Sequence, residues 1–177
     1  MRPILLICAL LVVLTVTAAA APASTSAKHG YLVVSNAAGD GGVSGRPVAT
    51  VIVKGFVLGR VSREGKVDII QLPSVNGQGA PQVTPPATTR SIRWHAHGGH
   101  VFTGKEFSGS NFRFRALGGS YRVVVRGSGI YLFAGGRGTV TLRGSSVYPN
   151  ADGKYSVNGG RFRSLPAKPV MRTIGRG

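Results

Sequence analysis

A chain of 177 residues with a formal net charge of +17, 22 Lys and Arg against five Asp and Glu, can bury one sizeable core but cannot pair most of its charges. Its single cysteine excludes a disulfide framework, and its few acids offer no sequence-adjacent acid and base for hydrolysis. The imbalance points toward polyanionic partners, attracted over a screening length of about 10 Å at 0.1 M salt.

The chain opens like an export signal. Arg2 is a short positive region, Ile4 to Val16 an apolar core, and Ala21-Pro22-Ala23 a small-residue cleavage site. The apolar run is shorter than the roughly 20 residues of a membrane span. Cleavage after Ala23 is expected, with retention as an N-terminal anchor the alternative. Cleavage removes Cys8, leaving a thiol-free chain of charge +16 with no sulfur-bound zinc and no transmembrane span, secreted or associated with the cell envelope. Cys8 follows Ile7, not a small residue at the end of the apolar core, so it does not fit a lipidation site.

Residues 24–47 are rich in Gly, Ser, Asn and Ala and read as a flexible lead-in around Tyr31 to Val34. Residues 48–166 read as a single β domain, interrupted at 73–89 by a loop whose four prolines and two glycines deny it a helix or a central strand. Beyond the signal there is no 3.6-residue apolar period. Short β-branched and aromatic runs alternate with the glycine pairs at 98–99, 118–119, 135–136 and 159–160. The fold class expected is all-β: an antiparallel sandwich or partly closed barrel of Gly-Gly-turn hairpins, with a β-solenoid as the alternative.

A two-residue turn at Gly118-Gly119 sets Arg115 against Arg122 and gathers Phe112, Phe114, Ala116, Tyr121, Val123 and Val125 on one face. A three-residue loop at 135–137 sets Leu132 against Val140 and Ile130 against Leu142. The predicted core is Phe112, Phe114, Val123, Val125, Leu132 and Val140. Val123 to Leu142 also echoes Val51 to Ile70 through a shared V-x-V-basic-G skeleton, which fits either a duplicated unit or convergent β patterning. The tail 167–177 reads as a frayed basic end, without a wall-anchoring signal.

The run RVVVRGSGIYLFAGGRGTVTLRG (Arg122 to Gly144), followed by YSVNGGRFRSLP (Tyr155 to Pro166), resembles a group of uncharacterised secreted, Gly-rich all-β proteins of soil actinobacteria. The resemblance spans roughly the C-terminal half. It implies export and an all-β fold, and it transfers no activity, ligand or site residue.

Two constellations carry chemistry. Around the Gly118-Gly119 turn, Arg113, Arg115, Arg122 and Arg126 are expected to form an outward cationic patch binding anionic polymers of the cell envelope, because guanidinium favours bidentate phosphate and carboxylate contacts. In WHAHGGH (Trp94 to His100), a two-residue turn at Gly98-Gly99 puts His95, His97 and His100 on one face. That face suits an open three-histidine zinc site or a small metallo-hydrolase, or simply the wet side of a strand. Only Glu106 lies nearby to orient the rings, and the surroundings are cationic. No catalytic residue is nominated: there is no G-x-S-x-G elbow, and the glycine pairs precede no helix that could cradle phosphate. Neither an RRM nor a KH signature is present, so no specific nucleic acid is expected.

Overall fold

The computed structural model describes residues 29–74, 79–146 and 153–175. The signal segment 1–23, with Cys8, lies outside the described residues. Eight strands follow in order: β1 (Gly30–Ala38), β2 (Ala49–Leu72), β3 (Gln82–Thr84), β4 (Thr88–His95), β5 (Val101–Leu142), β6 (Lys154–Val157), β7 (Arg163–Ser164) and β8 (Val170–Ile174). A 3-10 turn, Gly42–Ser44, links β1 to β2. Every strand pair is antiparallel, and together they form one open sheet. Antiparallel registers throughout exclude the stacked parallel coils of a solenoid.

Two strands are too long to lie flat, and their registers reveal how they wind. The segment 49–54 pairs with 120–125 on one side and 137–142 on the other, while 66–72 pairs with 104–108 and again with 120–126. Between these stretches, 57–61 pairs with 112–116 and with 130–134. The sheet therefore resolves into two ranks around one core. The first runs β4, 101–108, 66–72, 120–126, 49–54, 137–142, β8. The second runs β3, 112–116, 57–61, 130–134, β1, β6, β7. A long antiparallel hairpin rolled over two layers in this way follows the jelly-roll principle.

Glycines mark the crossings between ranks. Gly55 stands between Gly119 and Gly136, and Gly65 between Gly109 and Gly127. At Gly127, with φ +108°, a Cβ would overlap the backbone of Glu64 and Gly65, so only glycine lets the strands cross this closely. The echoing runs follow the same course: Val51 to Ile70 and Val123 to Leu142 each pass from first rank to second and back, with Gly55 and Gly127 at the crossing.

The three hairpin expectations meet different outcomes. Gly118 heads no turn. Leu117 and Gly118 stand opposite Phe56 alone, which makes Gly118, at φ +67°, part of a bulge that carries the strand from one rank to the other. Arg115 consequently faces Leu58 and Gln82, and Arg122 faces Ile52 and Ile70. Gly135 and Gly136 likewise continue through the sheet, so Leu132 pairs with Val34 and Gly59, not with Val140. Of these three, Gly98-Gly99 alone closes a hairpin. The predicted core residues Phe112, Phe114, Val123, Val125, Leu132 and Val140 are all buried in one cluster, because the bulges restore the apolar face after each crossing.

Three segments expected to be irregular are part of the sheet. The lead-in contains β1, whose Leu32, Val34 and Ala37 enter the core. The proline-rich stretch contributes β3 and the start of β4. The basic tail supplies β8, which pairs along 138–142 and buries Ile174.

Candidate functional site

The winding divides the four predicted arginines between opposite outer surfaces. Arg122 and Arg126 lie on the outward side of the first rank, alternating with the inward Tyr121, Val123 and Val125. Arg113 and Arg115 lie on the outward side of the second rank, alternating with the inward Phe112, Phe114 and Ala116. A single patch of all four does not form. The bulge at 117–118 separates what a hairpin would have joined.

The first-rank pair is largely occupied. Arg126 donates from Nη1 to Asp68 Oδ2 at 2.8 Å, while Asp68 Oδ1 is buried with no donor among the described residues. Arg122 lies with its guanidinium 4.7 Å from the centroid of the Trp94 ring. Burial, reinforced by the Arg126 charge and opposed by Asp68, lowers its pKa from the usual arginine value. Asp68 and Glu106, far apart in sequence, are directly opposed across two strands, so the fold does bring two carboxylates together. Both are taken up by cations: Glu106 receives Lys66 at 3.5 Å and Arg90 at 3.3 Å. This is an ion-pair network on a half-covered surface.

The second-rank face is different. Arg60 stands directly between Arg113 on one strand and Tyr131 on the other. Two residues along, Leu58 stands between Arg115 and Phe133. Arg113 and Arg60 are thus like charges in opposed positions, an unfavourable pairing in the absence of an anion. Among the described residues none of the three arginines has a carboxylate partner, since the ion pairs use Lys66, Arg90 and Arg126. Arg115 Nε donates to Gln82 Oε1 at 2.6 Å, and an Arg60 terminal nitrogen to Asn111 Oδ1 at 3.1 Å. These bonds orient the guanidinium groups and leave most of their donors directed outward.

An aromatic strip adjoins the arginines. Tyr31, Tyr131 and Phe133 are each about two-fifths exposed, and Phe133 contacts both Tyr31 (6.3 Å) and Phe56 (5.4 Å) between ring centroids. Two shallow grooves share Leu58 and Gly59. One, about 370 Å³, is lined by Val33, Arg60, Tyr131 and Phe133; the other, about 460 Å³, by Gln82, Thr84, Arg113 and Arg115. The sequence reasoning missed Arg60 and this strip. The signal was present in GIYLFA, where Tyr131 and Phe133 alternate with Ile130, Leu132 and Ala134: aromatic on one side, apolar on both.

The histidine hairpin forms one residue out of the expected register. His95 pairs with Val101 and Trp94 with Phe102, and Ala96 N–H donates to His100 O at 2.8 Å around a three-residue loop, 97–99. His95 and His100 therefore point to opposite faces, with His100 6.4 Å from the Phe102 ring. The shared face on which a three-histidine zinc site depends is not formed, and no group of three potential metal ligands converges among the described residues.

No family model matches the chain, and no curated protein or solved structure matches it either.

Proposed function

We propose that the protein is an exported, non-enzymatic β module that associates with anionic polymers of the cell envelope through the outward face of the second rank. Arg60, Arg113 and Arg115 hold the anionic groups, and Tyr131, Phe133 and Tyr31 support the rings or spacers between them. The observation that carries this reading is the direct opposition of Arg60 and Arg113, with Arg115 on the same face and, among the described residues, no carboxylate bound to any of them. A phosphate or carboxylate lying over that pair relieves its repulsion and is gripped bidentately. Arg122 and Arg126 contribute less, because Trp94 covers the first and Asp68 neutralises the second. The signal-like N-terminus supplies the envelope setting.

Retention on purified anionic wall polymer tests the assignment. The wild type is retained at low salt and released steeply toward physiological strength, as counterion release requires. Substituting Arg60, Arg113 and Arg115 together by Ser abolishes retention, whereas Arg122→Ser leaves most of it. Equal retention of wild type and triple variant, or indifference to salt, would sink the proposal.

A further inference from the structure

A second cationic cluster lies where the two ranks part at one lateral edge. β7 ends the second rank there and β8 ends the first. Arg163 on β7 stands opposite Tyr155, and Arg172 on β8 stands opposite Val140. Tyr155 and Val140 both belong to the core, and opposed residues share a face. Both arginines therefore project from the sides of the ranks that face each other, just beyond the last apolar side chains. Arg161, from the loop between β6 and β7, joins them.

The loop is held in place. Asn158, at φ +53°, donates from Nδ2 to Thr173 O at 3.0 Å and accepts from Gly175 N–H at 3.1 Å, tying the second rank to β8. Ser156 Oγ donates to Gly160 O at 2.6 Å and Gly160 N–H to Val157 O at 3.0 Å, closing the turn that leads to Arg161. The three arginines then line, with Tyr155, Val157 and Gly160, a pocket of about 190 Å³. None of the described acids lines it. The pocket is small, with room for one small ion and part of its hydration.

We infer that Arg161, Arg163 and Arg172 form a binding site for a single tetrahedral oxyanion, phosphate or sulfate, distinct from the polymer-binding face. The three arginines line the pocket from two strand edges and a loop, with Arg172 Nη1 also donating to Met171 O at 3.3 Å. A planar carboxylate offers two oxygens and one or two forks satisfy it, whereas a tetrahedral oxyanion offers enough oxygens for all three. Its charge also removes the mutual repulsion that the fixed loop imposes on them.

Titrating the full chain with inorganic phosphate, at ionic strength held constant with sodium chloride, tests the site by calorimetry and by the rise in Tm. The wild type binds phosphate and gains Tm. Arg172→Gln or Arg163→Gln weakens binding about tenfold or more, the loss expected on removing one charge-assisted hydrogen-bonding group. Arg172→Lys, which keeps the charge and loses the fork, falls between. In the Arg60, Arg113 and Arg115 triple variant, the phosphate binding that remains is still weakened by Arg172→Gln, so the two proposals fail separately. Sulfate competes for the site. Methyl phosphate separates two sources: competition supports a terminal phosphate on a larger ligand, and its exclusion supports the free ion. The inference is overturned if phosphate stabilises no more than chloride, if acetate competes as well as sulfate, or if both Gln variants, folded by circular dichroism, bind phosphate like the wild type.

Discussion

At Asp40 one side chain fastens the start of the wound hairpin to its end. Its Oδ2 accepts Ser146 N–H at 2.9 Å and Ser146 Oγ–H at 2.7 Å. Hydrogen bonds from the Ser145 side chain first, then from Ser146, lower its pKa from 3.8 to about 2, with the Arg143 charge adding to them and burial opposing. A carboxyl whose folded pKa is depressed stabilises the fold fully above its unfolded value, and that contribution is lost as pH falls through the folded one. Stability should therefore decline between about pH 4 and pH 2 in the wild type, and Asp40→Asn should remove that part of the decline. Thermal melts of the two proteins over this range check it, and parallel curves would refute the assignment. Arg126 and Arg113 differ in the same way at the scale of the residue: Arg126 is paired with Asp68 in a covered network, whereas Arg113 is exposed and has no acid partner among the described residues.

The β4–β5 hairpin shows an element choosing its register by side-chain packing. A two-residue turn would have set Trp94 opposite Thr103 and Phe102 opposite His95. The three-residue loop sets Trp94 opposite Phe102, with the rings stacked at 5.5 Å, and brings Trp94 within 4.7 Å of the Arg122 guanidinium. An aromatic pair contributes roughly 0.5–1.5 kcal/mol beyond its burial, and a cation over Trp about 0.5–1 kcal/mol at an exposed site. Either exceeds the preference for one glycine turn over another, since Gly98 and Gly99 both take positive φ readily (+85° and +80°). Trp94 is the chain's only tryptophan, so its fluorescence reports on this hairpin alone. Arg122→Gln should shift its emission to longer wavelength and increase acrylamide quenching, with global unfolding nearly unchanged. An unaltered spectrum would mean that Arg122 does not hold the hairpin against the sheet.

At the scale of the whole molecule, charge opposes compaction. The net charge is +17, and among the described residues the ion pairs gather on the outward face of the first rank. The second-rank face and the Arg161, Arg163, Arg172 edge are left to repel. Adding sodium chloride from about 0.01 M, where the screening length is about 30 Å, to about 0.15 M, where it is about 8 Å, should raise Tm. A falling Tm over that range would show that the ion-pair network outweighs the repulsion.

The sequence by itself determined the all-β class and the core. Alternation of apolar and polar residues is a local property, and burial acts on it wherever the strand goes. Phe112, Phe114, Val123 and Val125 were therefore predicted inside the core even though the hairpin proposed to join them does not exist. Partners across the sheet were a different matter. A glycine pair permits a turn, a bulge or a crossing equally well, because positive φ serves all three. At Gly98-Gly99 the result was a turn, at Gly118 a bulge, at Gly136 a crossing. The choice rested on what lay opposite: Phe56 alone against Leu117 and Gly118, Gly55 against Gly136. Only the tertiary structure could decide which arginines meet, since Arg60 and Arg113 lie 53 positions apart in sequence and directly opposite in space. The same holds for Arg163 and Arg172, which come together because two edges of a rolled sheet end at the same opening.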